Sequence, residues 1–226
     1  VRWCPAARHS FGFRQLPDAL ESFGRVRSMS VESLGAATDG TLGARLVCAI
    51  ELVLWMIGVP EGIDASFVGP GTSGVHAVPG ETLRELSGTL TANLRFADGR
   101  SATLIASDHA GVWRRAATMV GETGSIRITD DGLEWHRADG TLQDRSRPKV
   151  DRPWGLQSHE VIAEAVSRSI DPAIAGTVVG VPAGSNGGTG PFDAVSALIV
   201  AQAALLSART GQTESIETIR HMAGVV

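Results

Sequence analysis

An α+β fold, with an open, mostly antiparallel β-sheet and helices packed on one face, is what this sequence predicts. Three observations lead there. The stretch 41–57 (TLGARLVCAIELVLWMI) is apolar almost all round from Leu46 onward, with only Glu51 interrupting, and a helix apolar on every side must be covered on every side. From Ile63 to Gly140 the chain is dominated by short alternating segments separated by tight-turn dipeptides, the pattern of hairpins rather than of βαβ crossovers. Helical periodicity otherwise lies near the two ends of the chain, and strands segregated from helices define an α+β arrangement.

Residues 1–10 are expected to enter as a strand. Phe13, Leu16, Leu20 and Phe23 then recur at helical spacing, giving a short helix over 13–23 that ends at Gly24, with Pro17 suited to its first turn. Residues 26–34 alternate, Val26, Ser28, Ser30 and Glu32 against Arg27, Met29 and Val31, as a strand with one wet face. The segment 35–40 turns into the apolar helix. That helix carries an acid, and its uninterrupted apolar part is far shorter than the roughly 20 residues a bilayer span needs, so it belongs in a protein core. Gly58 closes it and Pro60 blocks its continuation.

Residues 63–68 form the next strand, and 69–80 (GPGTSGVHAVPG) a loop rich in Gly and Pro. In 87–97, Leu90, Ala92, Leu94 and Phe96 share one face and Thr89, Thr91, Asn93 and Arg95 the other; Asp98-Gly99 turns the chain back through 100–107. Strands at 113–120, 125–129 and 133–137 extend an antiparallel meander, and Asp139-Gly140 makes a further hairpin. From Gln157 the pattern is helical again, Ser158 as N-cap and Val161, Ile162, Ala165, Val166 and Ile170 as the buried stripe. Residues 180–190 are flexible by composition. Asp193 caps a long helix over 194–209, with core contacts drawn from Val195, Leu198, Ile199, Gln202, Leu205 and Leu206, and Gly211 ends it; 215–222 forms a last short helix.

Composition narrows the function. At 226 residues the chain can bury a substantial core. A net charge of −4 argues against nucleic acid or an anionic membrane as main partner, since both reward basic patches. Lys149 is the only lysine and sits in a polar loop, so lysine chemistry has a single candidate. Cys4 and Cys48 are the only cysteines, one near the terminus and one in the apolar helix; neither a structural disulfide nor a metal-ligand spacing follows. With no secretory or lipidation signal, a cytoplasmic location is expected. The chain opens on Val1 without a methionine, the expectation being a processed or excised piece.

Five segments then resemble one family. CAIELVLWMIGVP resembles the H-x-x-D-x-x-x-W-x-x-G-x-P segment of the glucose–fructose oxidoreductase / inositol dehydrogenase / MocA (Gfo/Idh/MocA) oxidoreductases. FRQLPDALESFGRVRSMSVE resembles the helix and strand opening the second domain of that family, LTANLRFADGRSATLIAS its central hairpin, ATMVGETGSIRITDDG its v-x-G-t-x-G-x-l hairpin, and AQAALLSARTGQTESI its closing helix. All five stand in the family's order and cover nearly the whole chain. The resemblance implies that residues 1–226 are a single C-terminal domain, which in whole members binds a sugar, polyol or similar hydroxyl compound and carries a dimer or tetramer interface through the open face of its sheet. It also implies NAD or NADP on a separate N-terminal Rossmann domain. No G-x-G-x-x-G turn after an opening strand and no E-K-P segment occur here, so no cofactor is expected on this chain alone.

The resemblance also marks a departure. Carried onto this chain, the family's proton-handling Asp and His fall on Ala44 and Cys48, and the later Asp on Glu51. Alanine cannot exchange a proton, and a buried thiol is a poor base unless its pKa is lowered. No catalytic residue is therefore assigned. Glu51 reads either as a substrate contact or as a buried acid paired with Arg45 or Arg8, because an unpaired buried carboxylate is costly. Arg8 is the second substrate-binding candidate, an arginine fork suiting a hydroxylated or carboxylate ligand; Arg14 reads as a surface residue. Cys48 and Trp55 read as packing residues. His109, His136 and His159 lack partners at catalytic spacing, and Ser107-Asp108-His109 cannot form a triad because neighbours on a strand point to opposite faces. Two functions follow: the substrate-binding and oligomerisation domain of an NAD(P)-dependent oxidoreductase, or a non-catalytic ligand-binding or dimerisation module of the same descent.

Overall fold

The computed structural model describes residues 6–69, 82–148 and 193–225. The helix expected from Gln157, the glycine-rich stretch 180–190, most of the loop 69–80, Lys149 and His159 lie outside the described residues. A nine-stranded mixed sheet carries the fold: β1 (Val26–Ala36), β2 (Gly62–Val68), β3 (Thr89–Arg95), β4 (Ser101–Ser107), β5 (His109–Gly121), β6 (Gly124–Thr129), β7 (Gly132–Arg137), β8 (Leu142–Ser146) and β9 (Glu214–Ser215). Their order is β8-β7-β6-β5-β1-β4-β3-β2-β9. Every pair is antiparallel except β1 with β4, so the expected α+β class holds.

One detail of the expected topology is corrected. The strands do not form a simple meander: β5 turns away from β4 and pairs across β1, placing β1 between them. A parallel neighbour that far away in sequence leaves no turn signature. The expected entering strand is also replaced, as Ala6–His9 is a 3-10 turn held by the Ser10 amide and hydroxyl, which both donate to the Ala7 carbonyl. The expected first helix divides into α1 (Phe11–Arg14) and α2 (Leu16–Phe23), with Pro17 in the first turn of α2.

The apolar helix is α3 (Leu42–Met56), capped by the Thr41 hydroxyl, which accepts the Ala44 amide. It is buried nearly all round, Ala44 being its one exposed residue. Gly58, at φ +109°, lets the chain leave the helix in a conformation other residues rarely adopt.

Strand alternation supplies the other half of the core. Register aligns Ile63, Leu94, Ala102, Met29, Met119, Ile126 and Trp135 in one row across seven strands, and Ala65, Ala92, Leu104, Val31, Ala117, Ile128 and Leu133 in the next. Both rows face the helices. A third row runs Phe67, Leu90, Ala106, Ser33 and Arg115, so it turns polar under α3. Val26, expected on the wet face of β1, is buried because a register shift between Val26 and Ser28 moves it to the core side.

The long helix, here α4 (Ala194–Thr210), presents a different face from the one expected. Ile199 and Leu205 are core residues, but Val195 and Leu198 are about half exposed, at 49% and 50%, and Gln202 is exposed. Ala197, Ala201, Ala203, Ala204 and Ser207 take the inner positions. Small side chains let the helix lie close to β2, where the buried Ala65 amide donates to Ser207 Oγ at 2.9 Å. Ser207 in turn donates to the Gln212 carbonyl, tying helix, strand and following turn together. A final helix, α5 (Ile216–Met222), is capped by Ser215.

Candidate functional site

Where the third row of the sheet becomes polar, α3 meets it with its own polar stripe. Residues four and then three apart lie on one helix face, so Ala44, Cys48, Glu51 and Trp55 form a line. It runs from the exposed Ala44 through part-buried Cys48 to buried Glu51 and Trp55. Glu51 is 1% exposed and forms an ion pair with Arg8 of the 3-10 turn, Arg8 Nε donating to Glu51 Oε1. The Arg8 guanidinium also lies over the Trp55 ring, 5.1 Å from its centroid. Of the two partners expected for Glu51, the structure selects Arg8. Arg45 is six residues from Glu51 on the same helix, which turns its side chain to a different face.

Arg45 instead donates to the carbonyls of Leu34 (3.3 Å) and Ala36 (3.0 Å) at the end of β1 and lies 4.9 Å from the centroid of the Trp113 ring. A glycine at position 35 makes this possible, since a Cβ there would fall 2.2 Å from Arg45 Nη2. Across the sheet, Arg115 sends Nε and Nη2 to Asp130 Oδ1 at 2.8 and 2.6 Å. Trp113 Nε1 donates to the second Asp130 oxygen at 3.2 Å. Arg115 Nη1 then reaches Cys48 Sγ at 3.7 Å. The sheet's buried ion pair is thereby joined to the helix stripe.

Sequence reasoning missed Arg115, Asp130 and Trp113. One signal could have found Arg115: it alternates in phase with Ala117 and Met119, and an arginine in phase with a buried face needs a buried counter-charge.

Burial dominates the electrostatics. It pushes the Glu51 carboxyl above the ordinary glutamate range, with Arg8 and Arg115 opposing. Burial likewise pushes the Cys48 thiol up against the opposing charge of Arg115, with Glu51 adding to the rise. A thiol held protonated is not a base, in keeping with a packing role for Cys48. Burial acts to lower the Arg115 pKa, but the Asp130 carboxylate and the Cys48 sulfur outweigh it and the net direction is up. Glu51 Oε2 is buried without a hydrogen-bond partner among the described residues.

The remaining expected site residues lie elsewhere. Arg14 is exposed. His109 is exposed, and its Nε2 meets both Ser87 Oγ (3.1 Å) and Asp108 Oδ1 (3.5 Å); with both contacts on one ring nitrogen there is no relay. Asp108 and Ser107 are spent on the strand ends, accepting the Gly88 amide and donating to the Gly88 carbonyl. His136 sits part-buried on β7.

A dinucleotide needs a glycine turn and a helix N-terminus open to pyrophosphate. Among the described residues, the N-termini of α3, α4 and α5 are occupied by the side chains of Thr41, Asp193 and Ser215, and the carboxylate of Asp193 repels phosphate. No step is routed through NAD or NADP. No group of three or more potential metal ligands occurs among them, and no described helix is long and apolar enough to cross a membrane.

No family model matches the sequence, and no curated protein matches it. Solved structures do match by shape. Levoglucosan dehydrogenase in complex with NADH and L-sorbose superposes with a TM-score of 0.66 at 14% identity, over 94% of this chain and 64% of that one. An oxidoreductase from Agrobacterium radiobacter in complex with NAD+, L-tartaric acid and magnesium gives 0.61 at 16% identity, over 95% and 64%. Myo-inositol 2-dehydrogenase from Lactobacillus plantarum gives 0.63 at 19% identity, over 93% and 63%. These are oxidoreductases of the type the sequence resembles, and the chain shares their fold while spanning about 64% of the first one's length.

Two outcomes follow from the site. Asp130→Ala leaves a buried guanidinium without its counter-charge and lowers stability by about 3–5 kcal/mol, the usual result of breaking a buried ion pair; a loss below about 1 kcal/mol in urea unfolding, the worth of an exposed pair, contradicts this. Glu51, whose folded pKa is raised, contributes its stability fully below the ordinary value of 4.5 and loses it as pH rises through the folded value. Wild type therefore loses stability relative to Glu51→Gln as pH rises above 4.5. Parallel stability curves for the two proteins across that range count against the shift.

Proposed function

We propose that this chain is the substrate-binding and oligomerisation part of an NAD(P)-dependent oxidoreductase acting on a sugar, polyol or similar hydroxyl compound. The observation that carries the reading is Glu51: a carboxyl group fixed through one oxygen by Arg8, with its other oxygen unpartnered among the described residues, on the helix stripe that ends in the open. It sits on a fold shared with solved sugar and polyol dehydrogenases. In this reading Glu51 and Arg8 hold a substrate hydroxyl, and Arg115 supports the wall of the site from the sheet. NAD or NADP, supplied from outside the described residues, provides hydride acceptance. Proton handling does not come from Ala44 or Cys48, for the reasons of chemistry given above.

That last point favours the second reading, a non-catalytic ligand-binding or dimerisation module. The intact protein separates the two. Oxidation of a sugar or polyol from a panel, followed by the appearance of NADH or NADPH absorbance, supports the enzyme, and Glu51→Gln then raises KM at least tenfold, about 1.4 kcal/mol of lost binding. Saturable binding without turnover supports the module. Neither binding nor turnover with any member of the panel removes both.

We also propose that the open face of the sheet, through Thr91, Asn93, Arg95, Thr103 and Ile105, pairs with a second copy. Support comes from its composition. All five residues are exposed, and Ile105 at 41% and Val120 at 46% leave apolar area among short hydroxyl side chains on a broad surface. Light scattering at tens of micromolar is expected to give a dimer or tetramer, a concentration at which micromolar association is largely complete; a strict monomer there argues against the pairing.

A further inference from the structure

One short turn touches both ion pairs of the α3 stripe. Asp130 follows β6 and, with Asp131, turns the chain into β7. Its side chain is buried and uses both carboxylate oxygens. Oδ1 accepts Arg115 Nε and Nη2 at 2.8 and 2.6 Å, and Oδ2 accepts Trp113 Nε1 at 3.2 Å. Charge-assisted bonds of this kind fix orientation as well as adding energy. Arg115 is thereby aimed so that its remaining nitrogen, Nη1, meets Cys48 Sγ on the stripe at 3.7 Å.

The main chain of the same residue leads to the other pair. The Asp130 carbonyl accepts the Gly12 amide at 3.1 Å, which seats α1 on the turn. A Cβ at Gly12 would fall 2.1 Å from the Thr129 carbonyl oxygen and 2.4 Å from that of Gly132, so an approach this close needs glycine. From α1 the chain passes through Ser10 into the 3-10 turn that carries Arg8. Hydrogen bonds close that joint: the Arg14 amide donates to the Ser10 carbonyl at 3.1 Å, and the Ser10 amide and hydroxyl donate to the Ala7 carbonyl at 3.1 and 3.0 Å. Arg8 then pairs with Glu51 and lies over Trp55. Burial raises the Glu51 carboxyl while Arg8 and Arg115 both oppose it, so the two routes out of Asp130 end on one acid. A carboxylate present only to neutralise Arg115 would need neither the glycine nor the contact with α1.

We propose that Asp130 is a positioning residue of the Glu51 site, setting Arg115 through its side chain and Arg8 through its main chain. Its functional meaning rests on the proposed role of Glu51, whereas the coupling itself is measured without ligand. A substrate panel that yields no binding and a coupling that is absent are therefore separate results.

The test follows the Glu51 side-chain carboxyl resonance through pH in the isotope-labelled chain, assigned as the one missing in Glu51→Gln. Asp130→Asn removes a negative charge beside Arg115 and leaves that guanidinium acting on Glu51 uncompensated. The Glu51 midpoint is then expected to fall by about one pH unit, tenfold in proton affinity. Gly12→Ala lifts α1 from the turn and withdraws Arg8, so there the midpoint is expected to rise. Leu205→Ala, a core truncation on α4, lowers stability and is expected to leave the midpoint in place. In wild type, the Gly12 amide is expected to exchange with solvent as slowly as that of buried Ile128; this measurement needs no variant and so holds where a substitution prevents folding. An unmoved midpoint in either Asp130→Asn or Gly12→Ala, movement of the two in the same direction, an equal movement in Leu205→Ala, or exchange of the Gly12 amide at the rate of an open one overturns the proposal.

Discussion

A helix with no hydrophilic side cannot be left against water, and α3 has almost none. Leu42, Leu46, Ile50, Leu52 and Met56 are all buried to within about 1% of completeness, and each such side chain contributes about 1.5–3 kcal/mol by leaving water. They point to several sides of the helix, so no single partner could cover them. The sheet takes one side, α4 a second and the 3-10 turn a third. The long apolar rows across seven strands meet this helix and its neighbours, and the opposite face of the sheet is mostly polar, with Ile105 and Val120 as exceptions.

The same constraint explains where charge enters the interior. A buried helix that carries Arg45 and Glu51 has to satisfy both inside the protein. Arg45 is accommodated by backbone carbonyls at the end of β1, at a point where a glycine leaves room for its guanidinium. Glu51 is accommodated by Arg8, which the 3-10 turn brings over the helix. Arg115 and Asp130 form the matching unit on the sheet, closed by Trp113. Two self-contained ion pairs therefore face each other across Cys48. The stripe is held together by its own side chains and keeps one carboxyl oxygen unspent among the described residues.

That arrangement bears on function in a specific way. The fold is shared with sugar and polyol dehydrogenases, but the two positions that the resemblance assigns to proton transfer hold a methyl group and a protonated thiol. What the stripe holds besides them is a buried carboxyl group paired with Arg8, whose guanidinium is backed by the Trp55 ring.

Much of the architecture is legible in the order of residues along the chain. The apolar run 41–57, the alternation of Leu90, Ala92 and Leu94, the Asp98-Gly99 turn and the capping position Asp193 are local signals, and each produced the element it announced. Periodicity tells which side of an element is buried; it does not tell what buries it. The insertion of β1 between β4 and β5, the choice of Arg8 over Arg45 for a partner 43 residues away, the Arg115–Asp130 pair and the small-residue face of α4 all depend on segments that meet only after folding. The amino-acid sequence by itself determined the elements, the class of fold and the need for a counter-charge at Glu51. Tertiary structure alone decided which residue supplied it, because the free energy of a buried charge is set by what surrounds it in space and not by its neighbours along the chain.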